Sequence, residues 1–192
     1  MYLNGSSAEV ELRGRPPAGA VPLLEPGQLF RAISGRAIAA SPLAEWAREL
    51  SDLHAALIPF RCEKSPRPPG IGCRQIRAGI DQIVVDIDVW AARHLPRTGS
   101  ARMHTHSLGE VIAHIARNYA EAWWTMRHAT DEEIRHQAWF HLGEAMEGYS
   151  EMVSQIRARH LQLPLGSVGI WTNRPAEPGD RASKDVTRSA SS

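Results

Sequence analysis

The chain of 192 residues carries 22 basic and 21 acidic side chains, for a formal net charge of +1, with 43% hydrophobic and 22% charged residues. This is a globular composition, and it lacks the basic excess that marks a nucleic-acid or acidic-lipid binder. No run approaches the ~18 consecutive apolar residues of a membrane span, and the polar stretch Met1 to Leu12 has no signal-peptide core. Cys62 and Cys73 are the only cysteines, so the expectation is a reduced, cytoplasmic protein without a disulfide framework.

Residues 1–25 are rich in Gly, Pro, Ser and Ala and are predicted to form a flexible arm. Pro26 suits the first position of a short helix through Leu29, Phe30 and Ile33, stopped by Gly35. Ser41-Pro42 opens a firmer helix carrying Leu43, Trp46, Leu50, His54, Leu57 and Ile58, with Pro59 predicted to end it. Residues 60–72 contain three prolines and two glycines and read as a loop. A further helix is predicted from Cys73 to Leu95, ending at Pro96. After a linker over 96–106, Ser107-x-x-Glu110 forms a capping-box pattern, and Thr130-x-x-Glu133 repeats it before the last helix. Arg157, Arg159 and His160 close that helix at its negative end. Residues 161–171 are predicted to dock as coil, and the chain from Thr172 onward to be disordered.

Three helical periods are unambiguous. Ile76, Ile80, Ile83, Ile87, Trp90 and Ala91 make one stripe. Leu108, Ile112, Ile115, Tyr119, Ala122 and Met126 make a second, and Ile134, Ala138, Leu142, Ala145, Tyr149, Met152 and Ile156 a third. The predicted fold is therefore all-α: an up-down four-helix bundle over 26–160 with a short extra N-terminal helix, flanked by an arm (1–25) and a C-terminal coil and disordered tail (161–192). That topology places the connection after Leu95 and the end of the last helix together, and the 60–72 loop and the 127–131 turn together at the opposite end.

Nine histidines supply most of the candidate chemistry. His94, His104, His106 and His160 fall at the first end and form a candidate zinc site, set against a plain reading as linker and helix-capping residues. Cys62, Cys73, His54 and His128 at the other end are a second candidate, although the cysteines lack knuckle spacing. A di-iron centre is disfavoured, because Glu133-x-x-His136 is the only motif with the right spacing and it faces away from its stripe. His54, His94 and His141 lie on apolar faces, where a hydrogen-bonded core histidine is the ordinary outcome. Asp81 and Asp88 sit at the rim of their stripe, and acid–base work is weighed there against pairing with basic neighbours such as Arg77. Val85, Val89, Trp124 and Phe140 are apolar residues off their stripes, marking either a second layer or a subunit interface. No phosphate loop, nucleophile elbow or dinucleotide fingerprint occurs.

Leu53-His54, Ile87-Asp88-x-Trp90 and His104-Thr105-His106-Ser107-Leu108-Gly109 resemble a bacterial family of unknown function, the domain family numbered 4254, in its actinobacterial branch. The resemblance covers roughly residues 25–160. It implies an all-helical fold and brings no assigned activity. The family's third motif usually has an acidic residue after the threonine and an Asp-Arg pair later in the helix. Here those places are His106, Ala113 and His114.

The sequence thus favours a non-enzymatic helical module that dimerises or binds a protein partner, with no nucleic acid, membrane or cofactor. The alternative is a small metal-dependent enzyme, with zinc at the histidine-bearing end. Whether His54, Asp88 and His104 gather around a cavity separates the two. By helix register, His54 is expected at a different height from the other two.

Overall fold

A computed structural model describes residues 21–36, 41–62 and 71–166. The expected arm over residues 1–20, most of the 60–72 loop, the end of the expected 161–171 coil and the tail from Thr172 onward lie outside the described residues. Five helices follow one another: α1 (Pro26–Ile33), α2 (Pro42–Cys62), α3 (Ile71–His94), α4 (Leu108–His128) and α5 (Glu132–Arg157). Two short strands, β1 (Arg102–Met103) and β2 (Leu161–Gln162), pair in parallel. The protein is a helical bundle, as the three apolar stripes require.

Helix α4 is the centre of the bundle. It packs against α2, α3 and α5, while α1 bridges α2 and α5. Leu108, Ile112, Ile115 and Ala116 of α4 are fully buried against Leu29 and Ile33 of α1, Leu43 and Leu50 of α2, Ile87 of α3, and Tyr149 and Val153 of α5. Each such Leu or Ile contributes about 1.5–3 kcal/mol by leaving water. A net hydrogen bond contributes only about 1 kcal/mol, so burial drives assembly and polar contacts select its geometry.

Those polar contacts begin before α1. Leu23 is buried, the Tyr149 hydroxyl donates to the Leu24 carbonyl at 2.8 Å, and Arg157 pairs with Glu25 at 2.6 Å. The packed domain therefore starts by Val21, a few residues inside the expected arm. Glu25 and Gln28 form a capping box around Pro26 at the start of α1, and Gly35, at φ 73°, follows its end.

Two expected boundaries move. Helix α2 runs through Pro59 to Cys62. Proline removes one hydrogen bond from the ladder, but Ala55, whose carbonyl loses its partner, and Pro59 are both exposed, so water can serve that carbonyl. At α5 the cap is Asp131, whose carboxylate accepts from the Glu133 amide at 2.9 Å, in place of Thr130. A charged acceptor at the positive end of the helix outcompetes the hydroxyl one residue earlier.

The Ser107–Glu110 capping box forms as expected: the Ser107 amide donates to Glu110 at 2.7 Å, and the Glu110 amide to the Ser107 hydroxyl oxygen at 3.3 Å. Its location is the unexpected part. The connection from Leu95 to Ser107 doubles back along α3, so that α4 starts beside Val84 and Asp88 and not at the end of α3. A Cβ on Gly109 would collide with the Val84 carbonyl oxygen and would stand 2.9 Å from the Val84 Cα. Only glycine allows this approach. The same doubling-back lets the Arg102 amide donate to the His160 carbonyl and the His104 amide to the Gln162 carbonyl, which ties down residues 161–163.

Gly109→Ala therefore sets a methyl group against immovable backbone and is expected to lose about 1–3 kcal/mol in urea denaturation. Gly143, inside α5 with open space around it, is the control: Gly143→Ala is expected to gain about 0.5–1 kcal/mol. Equal effects from the two would remove the close approach from the account.

Candidate functional site

The doubling-back of residues 95–107 builds a cavity of about 600 Å³. Its floor is α4, through Glu110, Val111, Ala113, His114, Ile115 and Arg117. One wall is His54 of α2 with Asp81 and Val84 of α3, and the other is Ala145, Gly148, Tyr149 and Met152 of α5. His104 and His106 stand at its mouth on the loop before α4.

His54 and His104 thus line one cavity, against the expectation of different heights. The reason lies in register. Leu53 of α2 packs 3.4 Å from where a Gly79 Cβ would stand, which puts His54 level with the Asp81 turn of α3. Helix α4 begins beside Val84 and Asp88, one to two turns further along α3, and Glu110 and His114 in its first turns line the same cavity as His54. The neighbouring residues of α2 and α4 are brought together by a loop whose path no local pattern encodes.

Asp88 supports the cavity from behind. It is 3% exposed. Its Oδ1 accepts from the Gly109 amide at 2.8 Å, and the Ser107 hydroxyl is a second hydrogen-bond partner. Burial pushes its carboxyl above the usual range, the Gly109 and Ser107 hydrogen bonds pull it back, and the nearby Glu110 charge adds to the rise. Gly166, at φ 54°, closes over the other oxygen, where a Cβ would collide with Oδ2. Asp88 is therefore committed to holding the start of α4, and it positions His104 and His106 without facing the cavity.

The imidazoles differ in their attachments. His104 Nδ1 lies 2.9 Å from the His106 carbonyl oxygen and 3.2 Å from the His106 amide, which pins the His104–His106 loop as a tight turn. His114 Nδ1 accepts from Arg117 Nη2 at 2.9 Å, so a neutral ring carries its proton on Nε2, which can donate to the Asn118 side-chain amide, 3.1 Å away, when that amide is turned to present its oxygen. Burial, then the charges of Arg117 and His106, push the His114 pKa down, with Glu121 opposing. His114 is accordingly a neutral acceptor near neutral pH. The Arg117 Nε is buried without a partner.

The four-histidine end cluster separates. His104 and His106 stay together, with ring centres 6.0 Å apart. His94 stacks on Trp90 and binds its carbonyl at 2.7 Å, and His160 is exposed beyond α5. For the second cluster, Cys73 is buried, the Cys62 side chain is outside the described residues, and His128 stacks on Trp124 at the far tip of α4. Among the described residues no group of three or more His, Cys, Asp or Glu side chains is arranged to hold a metal ion. His94 and His141 are exposed and are not core residues: His94 ends α3, and His141 projects from the open side of α5 beside buried Leu142.

Val85 and Val89 are half-buried on α3. Apolar exposure gathers instead at the α4–α5 tip, on Trp123 (49%), Trp124 (36%), Met126 (41%), Ile134 (50%) and Phe140 (57%). Met126 and Ile134 belong to the predicted stripes, which are exposed there among the described residues. Sequence reading passed over Arg117, Glu110 as a cavity residue, and Gly148. The i, i+3, i+7 spacing of Glu110, Ala113/His114 and Arg117 was the available signal, since it puts them on one face of α4.

No family model matches this chain, and neither a curated protein nor a solved structure does. The functional reading therefore rests on the cavity itself.

Because folding lowers the His114 pKa below its ordinary 6.5, the unfolded chain takes up that proton first on acidification. The stability from His114 is complete above pH 6.5 and is lost as pH falls through the lower folded value. The drop in melting temperature from about pH 7.5 to about pH 5 is expected to be smaller in His114→Gln than in the wild type. An equal drop would show that His114 is not held neutral by the fold.

Proposed function

We propose that this protein binds a small organic molecule in the cavity over α4 and that its histidines equip it for proton transfer to that molecule. One observation carries the reading: four imidazoles (His54, His104, His106, His114), two carboxylates (Asp81, Glu110) and Arg117 converge, from three helices and a loop, on one largely apolar cavity of about 600 Å³. That volume is in the range of small-ligand sites, which combine apolar walls with a few convergent polar groups. Imidazole titrates near neutrality and serves as general acid or base when within reach of a substrate. Residues that carry the resemblance to the family numbered 4254, namely His54 and His104, lie on this cavity, as do His106, Ala113 and His114, where the chain departs from that family's pattern.

Gly148 offers a direct test. It lines the cavity from the middle of α5, and a Cβ there meets nothing within 4 Å. Gly148→Leu is expected to fill the cavity at no loss of melting temperature, since a helix-favouring residue replaces glycine. In ligand-detected NMR against a mixed fragment library, fragments that bind the wild type should be lost in this variant. Fragments that bind both proteins equally, or a wild type that binds none, would end the reading.

A second reading is favoured by the exposed α4–α5 tip: association of two copies through Trp123, Trp124, Met126, Ile134 and Phe140. A patch of several large apolar side chains is the usual mark of such a surface. Light scattering on a sizing column is expected to give a dimer, converted to monomer by Trp124→Glu with Phe140→Glu. A wild type that is monomeric at every concentration leaves the patch without this role.

A further inference from the structure

Arg117 is a cavity residue whose bonding is incomplete: its Nε is buried and has no acceptor among the described residues. The guanidinium's one hydrogen bond goes to the neutral ring of His114, at 2.9 Å, and among the described residues Arg117 forms no ion pair. A guanidinium is always charged and presents a planar fork of donors matched to oxyanions. Arg117 as a whole is half-buried, but its Nε donor is shut off from water without an acceptor among the described residues, which is unfavourable until something supplies one.

Several other polar groups around the cavity are committed or solvated. Glu110 accepts from the Ser107 amide at 2.7 Å. The Tyr149 hydroxyl donates to the Leu24 carbonyl at 2.8 Å. His104 Nδ1 is engaged by the turn to His106, and Asp81 is exposed to water. Between them Val84, Val111, Ile115 and Met152 present apolar surface. Arg117 stands about two helical turns, roughly 10 Å, along α4 from Glu110, which separates the positive part of the cavity from the carboxylate at the start of the helix.

We propose that the cavity takes a small organic anion, a carboxylate or phosphate ester on a compact apolar body. Its acid group accepts from Arg117, and its body lies against Val84, Val111, Ile115 and Met152. This rests on the cavity being a ligand site, as argued above. His114 has a defined part in it. By accepting from Nη2 it holds the guanidinium in place without neutralising its charge, which a carboxylate in the same position would do.

The test uses probes of one shape and different charge: benzoate, phenyl phosphate, benzamide and benzylamine, titrated by NMR into the full-length wild type, Arg117→Gln and Gly148→Leu. The two anions are expected to bind the wild type at least about tenfold more tightly than benzamide, as a charge-assisted hydrogen bond implies. Arg117→Gln should abolish that preference while leaving benzamide affinity unchanged, and Gly148→Leu should abolish binding of every probe. The tighter of the two anions identifies the acid group. Benzamide or benzylamine binding as tightly as the anions, or an anion preference that survives Arg117→Gln, overturns the anion assignment while the cavity stands as a ligand site. No probe binding, or binding indifferent to Gly148→Leu, overturns both. Should Arg117→Gln fail to fold, the wild-type comparison of anions with benzamide decides the matter by itself.

Discussion

The buried carboxylate of Asp88 governs where helix α4 begins. It takes the Gly109 amide at 2.8 Å, engages the Ser107 hydroxyl, and is covered by Gly166. A carboxylate at the positive end of a helix is favoured by the dipole and satisfies donors that have no partner within the helix. Burying the same charge is unfavourable, which is why the Asp88 pKa is raised despite its hydrogen bonds. The balance holds only while α4 starts beside the middle of α3, since elsewhere the carboxylate would lack the Gly109 and Ser107 donors. Burial of apolar stripes makes the helices associate; Asp88 and the bare Gly109 surface choose the register.

The cavity follows from that register. Starting α4 two turns back along α3 brings its first turns level with His54 and folds His104 and His106 over the opening. It also sends residues 101–103 alongside 160–162, where the two-stranded pairing fastens the end of α5. The structural and the candidate functional parts are thus neighbours on α4: Leu108, Ile112 and Ile115 enter the core, while Glu110, His114 and Arg117 face the cavity. A helix surrounded by neighbours on most sides has little surface left over, and the polar residues occupy the part that α2 and α5 leave uncovered.

The other end of α4 answers to a different constraint. Beyond Ala122, which is buried, the helix continues to His128 and turns into α5, and Trp123, Trp124 and Met126 there are exposed. Trp123 stacks on Tyr119, which in turn meets Phe30 and Trp139 edge-on. These aromatic contacts stiffen the hairpin but leave its outer face apolar and open to solvent.

Helix identity and the three apolar stripes were legible in the sequence, because 3.6-residue periodicity, the Ser107–Glu110 cap and Pro26 at the start of α1 are local properties of the chain. The histidines were legible as candidates, but their grouping was not. His104 and His106 are two residues apart and could only stay together. His54 and His114 join them because the chain between Leu95 and Ser107 turns back on itself. His94 stays stacked on Trp90, and the exposed His160 meets the loop through its carbonyl, which accepts from the Arg102 amide. Arg117 could not have been singled out, since what distinguishes it is a buried donor without an acceptor, a property of surroundings drawn from four helices. Sequence alone determined which segments are helical and which faces are apolar, for these depend on spacing along the chain. Tertiary structure alone decided the depth at which each helix begins, because that depends on long-range contacts, Asp88 with Gly109 and Leu53 with Gly79, between residues distant in sequence.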